Sequence, residues 1–424
     1  MKKAKYLILM ALLAVPAGMF LESCSSDDTP GALTIVSLMT DGGIALDEAT
    51  AATGVPLSAS VVATFNKAVN ASTATAANIT LQINGVDVPA TITASGAVIT
   101  IDPTEDMATG TNHTVKISAG LKASDGGSAS AETFTFKSFG PPAVTAPQPD
   151  HLLSFFSFNG DVSDAKGALH TPAAADVKDI TFVEDRFGFA GLAANFNGTT
   201  SIVEIPEGDD YMVGPDFSIS FWIKANSTKE GHFVLGLAAW YGFQFEIMGG
   251  PWDADDKGVK LATRYDVTGG LTEAEDTWWN AEPNGWQGST FAKDVPAPNG
   301  IDLYFKDKWV HVVCTYQAST KIGRMYVNGE KTREWDFDLW SNPCTPPGKC
   351  AATGVKYAGN TTGGGNKLAL GFIQASGNRI VTDSWADPSD PLNNHFKGLM
   401  DDLRIWKVAL TEAEIVALHT AEKP

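Results

Sequence analysis

Phe217-Ser218-Ile219-Ser220-Phe221-Trp222-Ile223-Lys224 places Phe217, Ile219, Phe221 and Ile223 on one side of an extended chain. A period of two is the signature of a half-buried strand; a helix would scatter these residues around its axis. The same alternation continues downstream. Trp309 to Tyr316 sets Val310, Val312 and Cys314 on one face, and Gly323 to Val327 runs into Asn328-Gly329, a two-residue hairpin signal. Lys367-Leu368-Ala369-Leu370-Gly371-Phe372 and Phe396 to Trp406 are further strands. Helical periodicity is confined to the C-terminus. There Thr411 and Glu414 have capping-box spacing, and Ile415 and Leu418 supply a small apolar face.

Upstream, residues 33–139 alternate in the same way. Thr80-Leu81-Gln82-Ile83 leads through Asn84-Gly85 into Val86-Asp87-Val88, and Ala97 to Ile101, Thr114 to Ile117 and Thr133 to Phe136 follow. Short strands at such spacing predict a β-sandwich. Residues 140–150 hold Pro141, Pro142, Pro147 and Pro149 and read as a stiff linker to the C-terminal domain at 151–424.

Six pieces of the C-terminal half resemble the laminin-G/pentraxin-like branch of the concanavalin A-like jelly rolls. They are Phe156-Ser157-Phe158-Asn159-Gly160-Asp161, Ala194-Asn195-Phe196-Asn197-Gly198, the Phe217 to Lys224 strand, Trp309-Val310-His311-Val312, Met325-Tyr326-Val327-Asn328-Gly329, and Gly398 to Leu410. Residues 62–68, the Ile101-Asp102-Pro103 corner and the Thr133 to Lys137 strand resemble bacterial Ig-like domains. The expected fold class is therefore all-β: an N-terminal Ig-like β-sandwich used as a spacer, then a concanavalin A-like jelly-roll β-sandwich. About 80 residues lie between Ala225 and Lys308, more than the jelly-roll family places there, so residues 226–308 read as a Trp-rich insertion.

The N-terminus carries an address. Lys2, Lys3 and Lys5 precede an apolar run from Tyr6 to about Phe20, too short to span a bilayer. Leu21-Glu22-Ser23-Cys24 resembles a lipoprotein box, with Glu22 departing from its usual small residue. The Ser25-Ser26-Asp27-Asp28 that follows resembles the surface-export signal of Bacteroidetes lipoproteins. This implies a signal peptide at 1–23, lipidation of Cys24, a tether at 24–32 and a place on the bacterial outer membrane, facing outward. The membrane is then touched through the lipid only.

The chain has 49 acidic and 30 basic residues, a net charge of −19; loss of three lysines and one glutamate with the signal takes it to about −21. Such a surface repels nucleic acid, and neutral or cationic partners are favoured.

Sugars present flat C–H faces to aromatic rings and hydroxyls to polar side chains. Trp278, Trp279, Asn280 and Trp286, extended by Trp240, Tyr241 and Trp252, offer both groups, or else form the insertion's own core. Trp278 and Trp279 are adjacent, so in an extended segment only one faces inward. Asp401 shares strand parity with Leu403 and Ile405 and is expected to point inward. The jelly-roll resemblance implies a structural calcium held by Asp161, Asp164 and Asp401; the other reading has Asp401 capping backbone amides.

Asp253 to Gly258 begins like an EF-hand loop, but Lys257 and Arg264 stand where ligands belong. No Glu-x-Asp-x-x-Glu run of the superfamily's glucanases is present, Glu246 stands alone on its strand, and the histidines lack metal-ligand spacing. Cys344 and Cys350 enclose a short loop and read as a disulfide, while Cys314 reads as a core thiol. The function expected is non-catalytic glycan binding, passing polysaccharide to neighbouring uptake-system proteins. The alternatives are a jelly-roll glycoside hydrolase or polysaccharide lyase, and a protein-binding adhesin or scaffold.

Overall fold

The computed structural model describes residues 30–249, 258–280, 288–295, 300–340, 352–359, 365–377 and 379–424. Cys24, Trp252, Trp286, Cys344 and Cys350, and with them the lipidation and the disulfide, lie outside these residues. The chain folds as two compact units. One comprises the residues up to Ala52, Ser58–Asp106 and Asn112–Phe136; the other comprises Thr53–Leu57, Met107–Thr111 and Lys137–Pro424.

The first unit is built from two four-stranded sheets. In one, Ile35–Thr40, Val61–Phe65, Val98–Pro103 and Ala90–Ser95 are neighbours in that order; in the other, Val86–Val88, Ile79–Ile83, Asn112–Ile117 and Glu132–Lys137. Alternation decides the buried faces: Val61, Ala63 and Phe65 are buried, as are Ile99 with Ile101 and Val115 with Ile117. The turn at Asn84-Gly85 has φ of 50° and 80°, the left-handed pair that a two-residue hairpin requires.

The second unit is a sandwich of two larger sheets. The front sheet runs Val177–Lys178, Ile202–Ile205, Leu368–Leu370, His232–Leu237, Phe243–Ile247, Val259–Val267, Leu271–Trp279, with Ala352–Val355 also paired to Val259–Val267. The back sheet runs Thr181–Val183, Ala193–Asn197, Lys397–Trp406, Phe217–Ala225, Val310–Gln317, Ile322–Val327, Glu330–Asp336, Ser289–Ala292, with Leu152–Phe156 beside Lys397–Trp406. Apolar side chains meet between them: Phe217 lies 5.1 Å from Phe243 and Phe221 lies 5.1 Å from Phe245, ring centre to ring centre.

Residues 226–308 are thus no appended insertion. They supply four consecutive strands of the front sheet, from His232 to Trp279, and so more than half of the strands along that sheet's path.

The Phe217–Ala225 strand is buried on both faces. Its serines and tryptophan face the C-terminal helix Glu412–Glu422, which closes the outer side of the back sheet. Ser218 Oγ donates to Val408 O at 2.7 Å and accepts from Leu410 N at 2.9 Å, and Trp222 Nε1 donates to Glu422 Oε2 at 2.9 Å. The helix starts with the capping box anticipated at Thr411 and Glu414. Residues 142–147 are more than a spacer: Val144 and Ala146 pack with Trp406, Leu410, Ile415 and Leu418, and Trp406 Nε1 donates to Pro147 O at 2.8 Å.

Beneath the helix lies a closed set of charges. Arg186 binds both Asp401 and Asp402, and Arg404 Nη1 lies 2.6 Å from Glu422 Oε1. Two consecutive carboxylates reach one guanidinium because the Lys397–Trp406 strand bulges there. Pairing with Phe217–Ala225 slips between Ser220 and Trp222, and Asp402 takes φ of 47°. The bulge corrects the parity expected for Asp401: Met400 and Leu403 face the core, and Asp401 is turned away from it toward Arg186. Burial and the adjacent Asp402 push the Asp401 carboxyl well above the usual carboxylate range, with Arg186 opposing.

Removing one partner of a buried pair strands the other. Glu422→Ala, which leaves Arg404 only the more distant Asp402, 3.7 Å away, and frees the Trp222 indole, is expected to lower unfolding free energy by about 3–5 kcal/mol. Glu422→Gln, which keeps an acceptor for Trp222, is expected to lose less. Urea midpoints of the three proteins check both; an Ala variant as stable as the parent would contradict the network's role.

Candidate functional site

The front sheet's outer face carries the polar and half-buried aromatic side chains. Along Val259–Val267, Val259, Leu261, Tyr265 and Val267 enter the core, so Lys260, Ala262, Arg264 and Asp266 face outward. On Leu271–Trp279 the same rule separates the two adjacent tryptophans. Trp279 is fully buried, with Nε1 donating to Lys293 O at 3.0 Å and its ring 5.1 Å from Tyr304. Trp278 is half-buried on the outer face, with Lys260 Nζ 4.9 Å from its ring centre. Asn280 is buried as well. Trp279 and Asn280 are therefore structural, which corrects their assignment to ligand contact.

Trp240 and Tyr241 form a half-buried row with Trp385. Ring centres are 6.0 Å apart for Trp240–Tyr241 and 5.9 Å for Trp240–Trp385, at 24° and 23° between planes. Trp240 thus stacks with both neighbouring rings, and Arg264 covers Tyr241 at 5.3 Å. The row roofs a small cluster of Ile202, Phe233, Ala369, Phe372 and Ile373.

Next to this row opens a cleft of about 460 Å³, lined by Asp209, Met212, Val213, Gly214, Pro215, Asp266, Thr353, Gly354, Val355, Lys356 and Tyr357. Three remote segments meet there. Lys356 N donates to Arg264 O at 3.0 Å and Ala358 N to Tyr241 O at 2.7 Å, so Tyr357 is fixed between the front sheet and the cleft. Its hydroxyl donates to Gly365 O, and burial and the Asp209 charge push its pKa up. Asp209 has one buried carboxylate oxygen with no hydrogen-bond donor among the described residues. Lys356 Nζ lies 3.8 Å from Asp266 Oδ2, both substantially exposed. The size falls within the roughly 300–1,000 Å³ of small-ligand sites, and one ring with a few convergent polar groups fits their usual lining. Sequence reading missed all five polar cleft residues, because no local motif joins positions 209, 266 and 353–357.

The acids of the front sheet do not make a hydrolytic pair. Glu246 is buried and bound by Lys260 Nζ at 2.5 Å, and the same ammonium lies 3.4 Å from Asp276. A lysine between two carboxylates engages both and fills the gap a glycosidic bond would need. Burial pushes Glu246 up while Lys260 opposes the shift. Glu275, one residue from Asp276, points to the opposite side of the strand and is buried, with Oε1 lacking a hydrogen-bond partner among the described residues. His232, deprived of water and facing Lys306 and Lys229, is pushed down to about 3, and burial brings His395 to about 4, so neither is a base poised near neutrality. Cys314 is a buried free thiol.

The calcium donor set is not assembled. Asp164 Oδ1 accepts from Phe155 N and Lys166 N, each at 2.9 Å, and Oδ2 lies 3.5 Å from His170 Nδ1. Asp161 Oδ1 accepts from Ser163 N at 2.9 Å. Asp401 is taken by Arg186. Among the described residues no three His, Cys, Asp or Glu side chains converge as a metal requires.

Comparison with known proteins places residues 45–138 in a match to the family model of a bacterial Ig-like domain. No curated protein sequence matches the chain. Among solved structures, domain 4 of AbnA, a GH43 extracellular arabinanase from Geobacillus stearothermophilus in complex with arabinotriose, is similar with a TM-score of 0.36. The two are 19% identical, over 63% of this chain and 98% of that one. The binding domain of Paraclostridial Mosquitocidal Protein 1 gives a TM-score of 0.41 at 15% identity, over 64% of this chain and 52% of that one. The botulinum neurotoxin serotype D ligand binding domain, in complex with N-acetylneuraminic acid, gives 0.40 at 10%, over 64% and 51%. The chain spans about half the length of these toxin domains.

Glu275 generates a pH prediction. Burial, with Asp276 adding to it, raises its carboxyl from 4.5 to about 8, so the folded protein holds a proton that the unfolded chain releases. Stability from this group is complete below pH 4.5 and falls as pH rises toward about 8. The limiting slope is about 1.4 kcal/mol per pH unit. Glu275→Gln is expected to flatten that fall and to be the more stable protein at pH 8, read from urea midpoints across the range.

Proposed function

We propose that the C-terminal unit is a non-catalytic carbohydrate-binding module, displayed at the bacterial surface by a lipid on Cys24. The observation that carries this reading is the cleft beside the Trp240 row. It combines the ring of Tyr357 with carboxylates at Asp209 and Asp266, the groups that hold a sugar's C–H face and its hydroxyls. Trp278, on the same outer face, would extend contact to further units of a polysaccharide. Lys260 stands four residues from Arg264 along one strand, a span of about 13 Å, so the Trp278 and Tyr241 regions are separated by several sugar rings at most. A lysine locked between Glu246 and Asp276 favours binding over hydrolysis. Anchored copies act together, so weak single-site binding would suffice by avidity, and a neighbouring uptake system is the natural recipient of captured polysaccharide.

Affinity electrophoresis across a polysaccharide panel tests the module. The parent is expected to be retarded by at least one neutral polysaccharide without releasing reducing ends. Tyr357→Ala is expected to weaken retardation about tenfold, and Trp278→Ala less. Release of reducing ends would favour a hydrolase, and indifference to every glycan would favour an adhesin. Anchorage has its own readout: Cys24→Ala is expected to abolish palmitate labelling and move the protein to the soluble fraction.

A further inference from the structure

We infer that the cleft selects its sugar by charge and by hydrogen-bond polarity, taking amino sugars best, neutral sugars next and uronic or sulfated sugars worst. This rests on the carbohydrate reading above and adds the ligand class. Asp209 and Asp266 line the cleft against a single ammonium, Lys356, so its walls carry one net negative charge. Among the described residues Asp209 makes no ion pair, and one of its oxygens is buried with no donor. A charge held where water is thin projects further than the same charge in solvent. The Tyr357 phenol already responds to it, its ionisation opposed by Asp209.

The side-chain donors point the same way. The hydroxyl proton of Tyr357 goes to Gly365 O, and Thr353 Oγ1 donates to Asp266 O at 3.2 Å. Of the polar lining side chains, Lys356 alone keeps N–H groups for a ligand, and it sits 3.8 Å from Asp266. The cleft therefore offers acceptors. Sugar hydroxyls and ammonium groups donate to acceptors; a carboxylate or sulfate on the sugar brings only more acceptors and a like charge. The chain's net charge of −19 adds to the same bias at long range.

Titrating the full chain at pH 6 with oligomers of glucosamine, of a retained neutral sugar and of galacturonate tests this ordering. The expectation is at least about tenfold between the glucosamine and galacturonate arms at low salt, narrowing as salt screens the walls. Asp209→Asn and the exposed Asp266→Asn are each expected to narrow it several-fold, while neutral binding changes less. Equal affinities, or galacturonate binding tightest, would overturn the charge selection while leaving the carbohydrate reading in place. A preference that neither substitution alters belongs to the overall surface charge, and overturns the assignment to this cleft. If no oligomer of any kind binds, the carbohydrate reading itself fails.

Discussion

Arg186 and Arg404, with Asp401, Asp402 and Glu422, hold the C-terminal unit closed. Burying five charged groups is costly unless each finds opposite charge and hydrogen bonds, so this set permits essentially one arrangement of the elements that carry it. Those elements come from the 183–192 loop, the last strand and the C-terminal helix. Trp222 extends the set into the middle of the back sheet: Arg186 lies over its ring at 4.9 Å, and Glu422 accepts its N–H. Apolar burial drives the two sheets together, but it is non-directional. The charge set specifies where the helix docks and why Asp402 tolerates a left-handed backbone.

The parts legible in the sequence were those fixed by local chemistry. Asn84-Gly85 and Asn328-Gly329 turn their hairpins with the left-handed pairs expected of them, and Thr411 with Glu414 starts the helix. Alternation in Phe217–Ala225 named the core face correctly, though it could not tell that Ser218, Ser220 and Trp222 would be covered too. What escaped was set by pairing at a distance. Asp401 seemed inward by parity until a one-residue bulge reversed it. Leu271–Trp279 is hidden in the Trp-rich stretch at 226–308; it is an edge strand of the front sheet, where acidic side chains break the apolar alternation and discourage further pairing.

The candidate site was legible only in its most conspicuous residues. Tryptophan content drew attention to the front sheet, and the structure separates the rings: Trp279 is core, Trp240 lies in a half-buried row with Tyr241 and Trp385, and Trp278 is on the outer face. The cleft beside them depends on backbone bonds from Lys356 to Arg264 and from Ala358 to Tyr241, partners far apart in the chain that no spacing rule encodes.

Residues 142–147 lie on the C-terminal helix, and Trp406 bonds Pro147. The segment at 142–147 and the C-terminal helix thus meet at one spot on the outer side of the back sheet. A module whose two ends adjoin occupies little contour length in a longer chain, so it can be repeated in tandem, placed within a loop of another protein or circularly permuted without disturbing its sheets. Both ends lie against the back sheet, so any such fusion would leave the outer face of the front sheet uncovered.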